Sequence, residues 1–143
     1  MATAEASRPD PAAKEEVWQR IHGQGYGSLQ LAMAAARGFF CRSQRDLVEP
    51  FVARFFEGLP GLFTEWEAEA SRAYFRNLLP WHRIEASTRE MVDGVLARGD
   101  LGPMLRRLLI EAGDDLDRAI ACRRHAEETE EGLPAPPGAS PAR

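Results

Sequence analysis

The stretch Asp46-Leu47-Val48-Glu49-Pro50-Phe51-Val52-Ala53-Arg54-Phe55-Phe56-Glu57-Gly58-Leu59-Pro60-Gly61-Leu62-Phe63-Thr64-Glu65-Trp66 decides the fold. Leu47, Val48, Phe51, Val52, Phe55, Phe56, Leu59, Leu62, Phe63 and Trp66 recur at steps of three and four, which lines them along one side of a helix. Asp46 with Glu49 reads as a capping box at its start. Pro50 falls in the first turn, where it removes at most one early hydrogen bond, whereas Gly58 and Pro60 predict a break or kink midway.

Working outward, every neighbouring segment reads the same way. On the N-terminal side, Asp10 and Pro11 are a helix start: the carboxylate accepts free backbone N–H groups and proline loses no needed donor. Val17, Trp18 and Ile21 give that helix an apolar side, and Gly23, Gly25 and Gly27 end it. Ser28 caps a second helix with Leu29, Ala32, Met33 and Ala36 inward, whose small side chains suit a close helix–helix contact. On the C-terminal side, Thr64 and Glu67 predict a helix carrying Trp66, Ala70, Ala73, Tyr74 and Leu78, ended before Pro80. Ser87 and Glu90 form another box ahead of Met91, Val92, Val95 and Leu96, with Gly99 past the end. A last helix or helix pair runs from Pro103 to Glu127 on Met104, Leu105, Leu108, Leu109, Ala112, Leu116, Ala119 and Ile120, with Gly113 as an interruption.

No segment alternates with period two, so the expected class is all-α. Six to seven short helices in successive pairs suggest an α-solenoid-like superhelical array. Residues 1–9 read as a disordered tail, 10–127 as the helical domain, and 128–143, rich in proline and glycine, as a second disordered tail.

With 143 residues, 44% hydrophobic and 28% charged, the chain has the balance of one soluble domain. A net charge of −4 argues against sequence-independent nucleic-acid binding. Lys14 is the only lysine. Cys41 and Cys122 sit in no Cys-x-x-Cys motif and read as reduced thiols. The first residues lack the apolar core of a signal peptide and no apolar run would span a bilayer, so the expected location is cytoplasmic, with no membrane partner.

Catalytic signatures do not assemble. No two of His22, His82 and His125 lie within 40 residues. None begins the His-Glu-x-x-His pattern that sets two imidazoles on one helix face. His82, in Trp81-His82-Arg83, reads as an inter-helix loop residue. There is no Gly-x-Ser-x-Gly elbow, and Gly23-Gln24-Gly25-Tyr26-Gly27 follows no strand and lacks the lysine of a phosphate-binding loop. Arg106, Arg107, Arg118, Arg123 and Arg124 match Glu111, Asp114 and Asp115 at helical spacing. The alternative use for Arg106 and Arg107 is on a concave surface, where a guanidinium holds a peptide carboxylate.

The order of features is similar to that of a known domain. Ala12-Ala13-Lys14-Glu15-Glu16-Val17-Trp18, Arg37-Gly38-Phe39, Asp46 to Phe56, Asn77-Leu78-Leu79-Pro80 and Leu105 to Glu111, on through Asp115, Arg118-Ala119 and Arg123, resemble successive elements of the C-terminal helical domain of aminopeptidase N-type zinc metallopeptidases, especially the actinobacterial ones. The resemblance spans roughly Pro11 to Arg124. Asn77 and Leu79 stand where that domain usually has Gly and Tyr, and Gly113 is shifted from the usual Glu-Gly. The resemblance implies a superhelical wall that closes over an active site and can contact the distal part of a peptide. The zinc, its His-Glu-x-x-His helix, the downstream glutamate ligand and the amine-recognition motif would all lie in upstream domains, so no catalytic or metal-binding residue carries over. The chain is therefore expected to be inactive alone and to partner an aminopeptidase catalytic domain, in cis or in trans. The competing expectation is a free-standing helical module that binds a peptide or a protein.

Overall fold

The structure is a computed structural model and describes residues 2–23 and 25–134. The fold is all-α: 78% of it is helical, and the described residues contain seven α-helices and no strand. These are α1 (Ala2–Ala6), α2 (Pro11–His22), α3 (Leu29–Phe39), α4 (Arg45–Glu65), α5 (Ala68–Leu78), α6 (Ala86–Leu96) and α7 (Pro103–Glu131), with a 3-10 turn over Arg42–Gln44 leading into α4.

The helices form two rows. Helices α2, α4 and α6 touch in succession, as do α1, α3 and α5, and α7 lies against α4 and α6. The stripe on α4 is what both rows share. Val48, Phe51, Val52, Phe55, Phe56, Leu59 and Leu62 are all buried. Phe51 meets Trp18 of α2 at 5.2 Å and Phe39 of α3 at 5.0 Å, and Phe55 stacks on Tyr74 of α5 at 5.7 Å. Leu105, Leu109, Ala112 and Leu116 carry the core into α7. Each fully buried aliphatic side chain stabilises the fold by about 1.5–3 kcal/mol, which is why these positions, rather than surface charge pairs, hold the rows together.

Several local starts read from sequence hold. The Asp10 carboxylate accepts from the Ala12 N–H at 3.2 Å, and the Ser28 hydroxyl from the Leu31 N–H at 3.3 Å. Other boundaries differ. Helix α4 begins at Arg45 out of the 3-10 turn, with no side-chain cap, so Asp46 lies in its first turn and Glu49 instead pairs with Arg83 at 3.1 Å. It continues through Gly58 and Pro60 without a break, because Phe55, Phe56, Leu59 and Leu62 are buried on both sides of the proline. Thr64 is therefore inside α4, its hydroxyl donating to the Pro60 carbonyl at 3.0 Å, and α5 starts after Glu67 without a side-chain cap. Helix α6 begins at Ala86, and Ser87 turns its hydroxyl to Glu85 and Arg83 rather than capping. Gly113 does not interrupt α7. The Arg89 side chain of α6 lies across it, and a Cβ there would come within 3.0 Å of the guanidinium.

Residues 2–6 of the expected N-terminal tail are a docked helix. The Thr3 hydroxyl donates to the Ala34 carbonyl at 2.8 Å and the Ser7 hydroxyl to Gly38 at 3.2 Å. Because both partners advance by four residues together, α1 and α3 run in the same direction. The approach is close enough that a Cβ on Gly38 would lie 2.5 Å from the Thr3 carbonyl oxygen, so only glycine fits. Lys14 completes the joint. Its ammonium is buried and donates to the carbonyls of Ala6, at the end of α1, and Phe39, at the end of α3, the latter at 2.8 Å. One cation thus satisfies two helix C-termini, where the backbone leaves carbonyls unpaired and the dipole is negative. At the other end, α7 runs past the expected boundary of 127 to Glu131, where the Gly132 N–H bonds back to Glu128 at 3.1 Å. Met1, and residues 135–143 of the expected C-terminal tail, lie outside the described residues.

Candidate functional site

The three histidines are far apart and differently used. His22, the last residue of α2, is held at both ring nitrogens: Nδ1 lies 2.7 Å from the Trp18 carbonyl and Nε2 2.7 Å from the Tyr74 hydroxyl. The carbonyl can only accept, so Nδ1 carries the proton and the Tyr74 hydroxyl donates to Nε2. Burial pushes the His22 pKa down and the Tyr74 pKa up, so both stay neutral. This pair is locked by packing against Trp18 and Trp66.

His82 lies between α5 and α6, as the sequence led one to expect, stacked on Phe40 at 5.0 Å. Burial, then the charges of Arg83, Arg45 and Arg42 against that of Glu85, hold its pKa down to about 4. Beside it the Arg83 side chain, only 8% exposed, ties the loop to α4 through Glu49 at 3.1 Å and to α6 through Ser87 at 3.2 Å. These are fastenings between helices. His125 is exposed near the end of α7. Among the described residues no three of His, Cys, Asp and Glu gather where they would hold a metal ion. Both cysteines are free, Cys41 half-buried and Cys122 exposed. The Ser43 hydroxyl, 3.0 Å from the Cys41 sulfur, lowers that thiol's pKa.

Arg106 and Arg107 stand exposed at the start of α7. Arg106 donates to the Arg98 carbonyl at 3.3 Å, and Arg107 pairs with Glu111 at 2.8 Å along the helix. Arg118 pairs likewise with Asp115, and Arg123 reaches the Ile84 carbonyl at 2.8 Å. None of them lines the groove where the end of α2, the start of α3 and the α4–α5 junction meet, or the two smaller hollows beside Phe56 and Phe63.

That groove has a volume of about 410 Å³. Ile21, Tyr26, Leu29, Ala32, Trp66 and Ala70 form its apolar lining, and Glu65 and Glu67 its acidic edge. The backbone at Gly27 has φ 72°, the left-handed conformation that glycine adopts at no steric cost, and this turns the chain from Tyr26 into the Ser28 cap. Read along the chain, each piece has a separate role, as helix face or linker. Nothing in the spacing of residues 21–32 and 65–70 signals that the contact of α3 with α5 makes them one surface.

The geometry thus defines an all-α domain with a groove that joins an apolar lining to an acidic edge. No known family model matches the chain. Over 119 residues, 83% of this chain, it is 29% identical to an aminopeptidase N of Streptomyces lividans, which supports a relationship to aminopeptidase N. The match spans only 14% of that relative's length.

Proposed function

We propose that the chain serves as the non-catalytic C-terminal helical domain of an aminopeptidase N-like zinc peptidase, walling the peptide chamber of a catalytic domain in cis or in trans. The carrying observation is the likeness to a 14% portion of an aminopeptidase. The two rows of helices suit a superhelical wall. Its chemistry would be positional, with zinc and the reacting groups supplied by the catalytic domain and the helices limiting which peptides reach them. Arg106 and Arg107 would serve as peptide contacts only if the assembled chamber turned the start of α7 inward.

The test is an assay of the purified chain on aminoacyl-anilides with and without added zinc, followed by the same assay with an aminopeptidase catalytic chain present. No turnover by the chain alone, and an altered preference for peptide length when the two are mixed, are expected. Zinc-dependent turnover by this chain alone overturns the reading.

A further inference from the structure

We infer that the groove between Tyr26 and Trp66 is a receptor for a cationic side chain, an arginine or lysine of an otherwise apolar peptide. Three independent features converge there. The first is charge. Glu65 ends α4 and Glu67 precedes α5, both line the groove, and among the described residues neither joins an ion pair. The other acidic groups that face a neighbouring helix are mostly neutralised: Glu15 by Arg54, Glu49 by Arg83, Glu85 by Arg45, and Asp117 by Arg89. Glu65 also sits at a helix C-terminus, where the carbonyl ends add negative potential and a bound cation is favoured.

The second feature is the aromatic wall between those carboxylates. Trp66 is half-buried and braced from behind by Tyr74, edge-on at 5.4 Å, and by His22 at 6.4 Å. Its ring is therefore held in place before a ligand arrives. A cation against a tryptophan face is stabilised by roughly 0.5–2 kcal/mol, most where water is excluded. The protein already uses this pairing next door: the Arg20 guanidinium lies 4.2 Å from the Tyr26 ring centroid, with its charge balanced by Glu5 at 2.9 Å. Arg20 covers a Tyr26 face, whereas among the described residues no cation lies over the Trp66 ring.

The third is the apolar remainder. Leu29 is 38% exposed, and Ile21, Ala32 and Ala70 continue the lining, matching the methylene stem and apolar neighbours of a long cation. An anionic ligand would meet two unpaired carboxylates, and a purely apolar one would leave them desolvated at its edge, which costs free energy.

This inference builds on the reading of the domain as a peptide-chamber wall by naming which peptides the wall favours. Its test uses the whole chain without a catalytic partner, so the two readings fail separately. Acetyl-Ala-Arg-Ala-Leu-amide, and the same peptide with Gln, Glu or Leu in place of Arg, are titrated while the Trp66 indole N–H resonance is followed, assigned with Trp66→Phe. The Arg peptide is expected to move that resonance with a Kd roughly tenfold below the Gln peptide's, weakening as ionic strength rises. In Glu65→Gln/Glu67→Gln, whose changes are on exposed positions, the Arg and Gln peptides should bind within about twofold of each other. Equal binding of the Arg and Leu peptides to the unchanged chain overturns the inference. So does an unmoved Trp66 resonance, including one that shifts only with protein concentration and thereby marks a second copy of this chain as the occupant.

Discussion

The joint of α1, α2 and α3 and the distal half of α7 are opposite kinds of helical structure. At the joint a five-residue helix too short to persist alone is fixed by tertiary contacts: the buried Lys14 ammonium, the Gly38 approach and the Thr3 and Ser7 hydroxyls. Helix α7 is 29 residues, about 43 Å long, yet its last buried residue is Leu116. Beyond it, Ala119 and Ile120 are half-exposed and every residue from Ala121 to Pro134 is exposed. That half is held by its own backbone, by the pair of Asp117 with Arg89 of α6 at 3.1 Å near its start, and by the reach of Arg123 to Ile84. Helical length and structural weight are therefore unrelated here, and deletion of charge or bulk should separate the two regions cleanly.

The largest effect is expected at Lys14. Lys14→Met keeps the bulk but strands two buried carbonyls at helix ends, and should cost about 2–4 kcal/mol in denaturant unfolding at unchanged m-value. A loss below about 0.5 kcal/mol would mean that water, not the ammonium, satisfies those ends. Gly38→Ala comes next and separates docking from helix formation. Alanine favours α3 itself by about 1 kcal/mol, whereas contact with the Thr3 backbone costs about 1–3 kcal/mol. The net destabilisation should be about 1 kcal/mol, with exchange protection lost at the Ser7 amide, which bonds to Thr3 at 3.1 Å, and kept across α7.

Between the two regions lies His82. Its folded pKa of about 4 is below the ordinary 6.5, so the unfolded chain binds more protons in that window and stability should fall as pH drops through it. His82→Phe retains the stacking on Phe40 and should remove a pH-dependent loss of order 1 kcal/mol between pH 7 and 4. An unchanged slope in the variant would place the acid sensitivity elsewhere. The smallest effect is expected from ending the chain after Arg124, which keeps the Ile84 contact and, among the described residues, removes only exposed ones. Stability should change by less than about 0.5 kcal/mol.

The same contrast explains what could be read in advance. Signals carried by one helix alone were legible: the Asp10-Pro11 and Ser28 starts, the stop before Pro80 and the α4 stripe, whose burial from Val48 to Leu62 follows its period. Helix α1 was not, because alanine, threonine and serine show no apolar stripe and what fixes them sits on α2 and α3. The boxes read at Asp46 and Ser87 failed for a related reason. Side chains that could have capped their own helices meet stronger partners across the fold, Glu49 and Ser87 both turning to Arg83. The only lysine was visible in the composition, but nothing local distinguishes a buried lysine from an exposed one. The groove was the least legible feature, since its two halves are separated by all of α4.

The proposed place of this domain beside an aminopeptidase active site is tested most directly by association. A Streptomyces aminopeptidase N shortened by the stretch that matches this chain would be mixed with it and followed by sedimentation and by hydrolysis of peptides of graded length. A one-to-one complex that changes the length preference of the shortened enzyme is the expected result. Separate sedimentation with an unchanged length preference would contradict that placement.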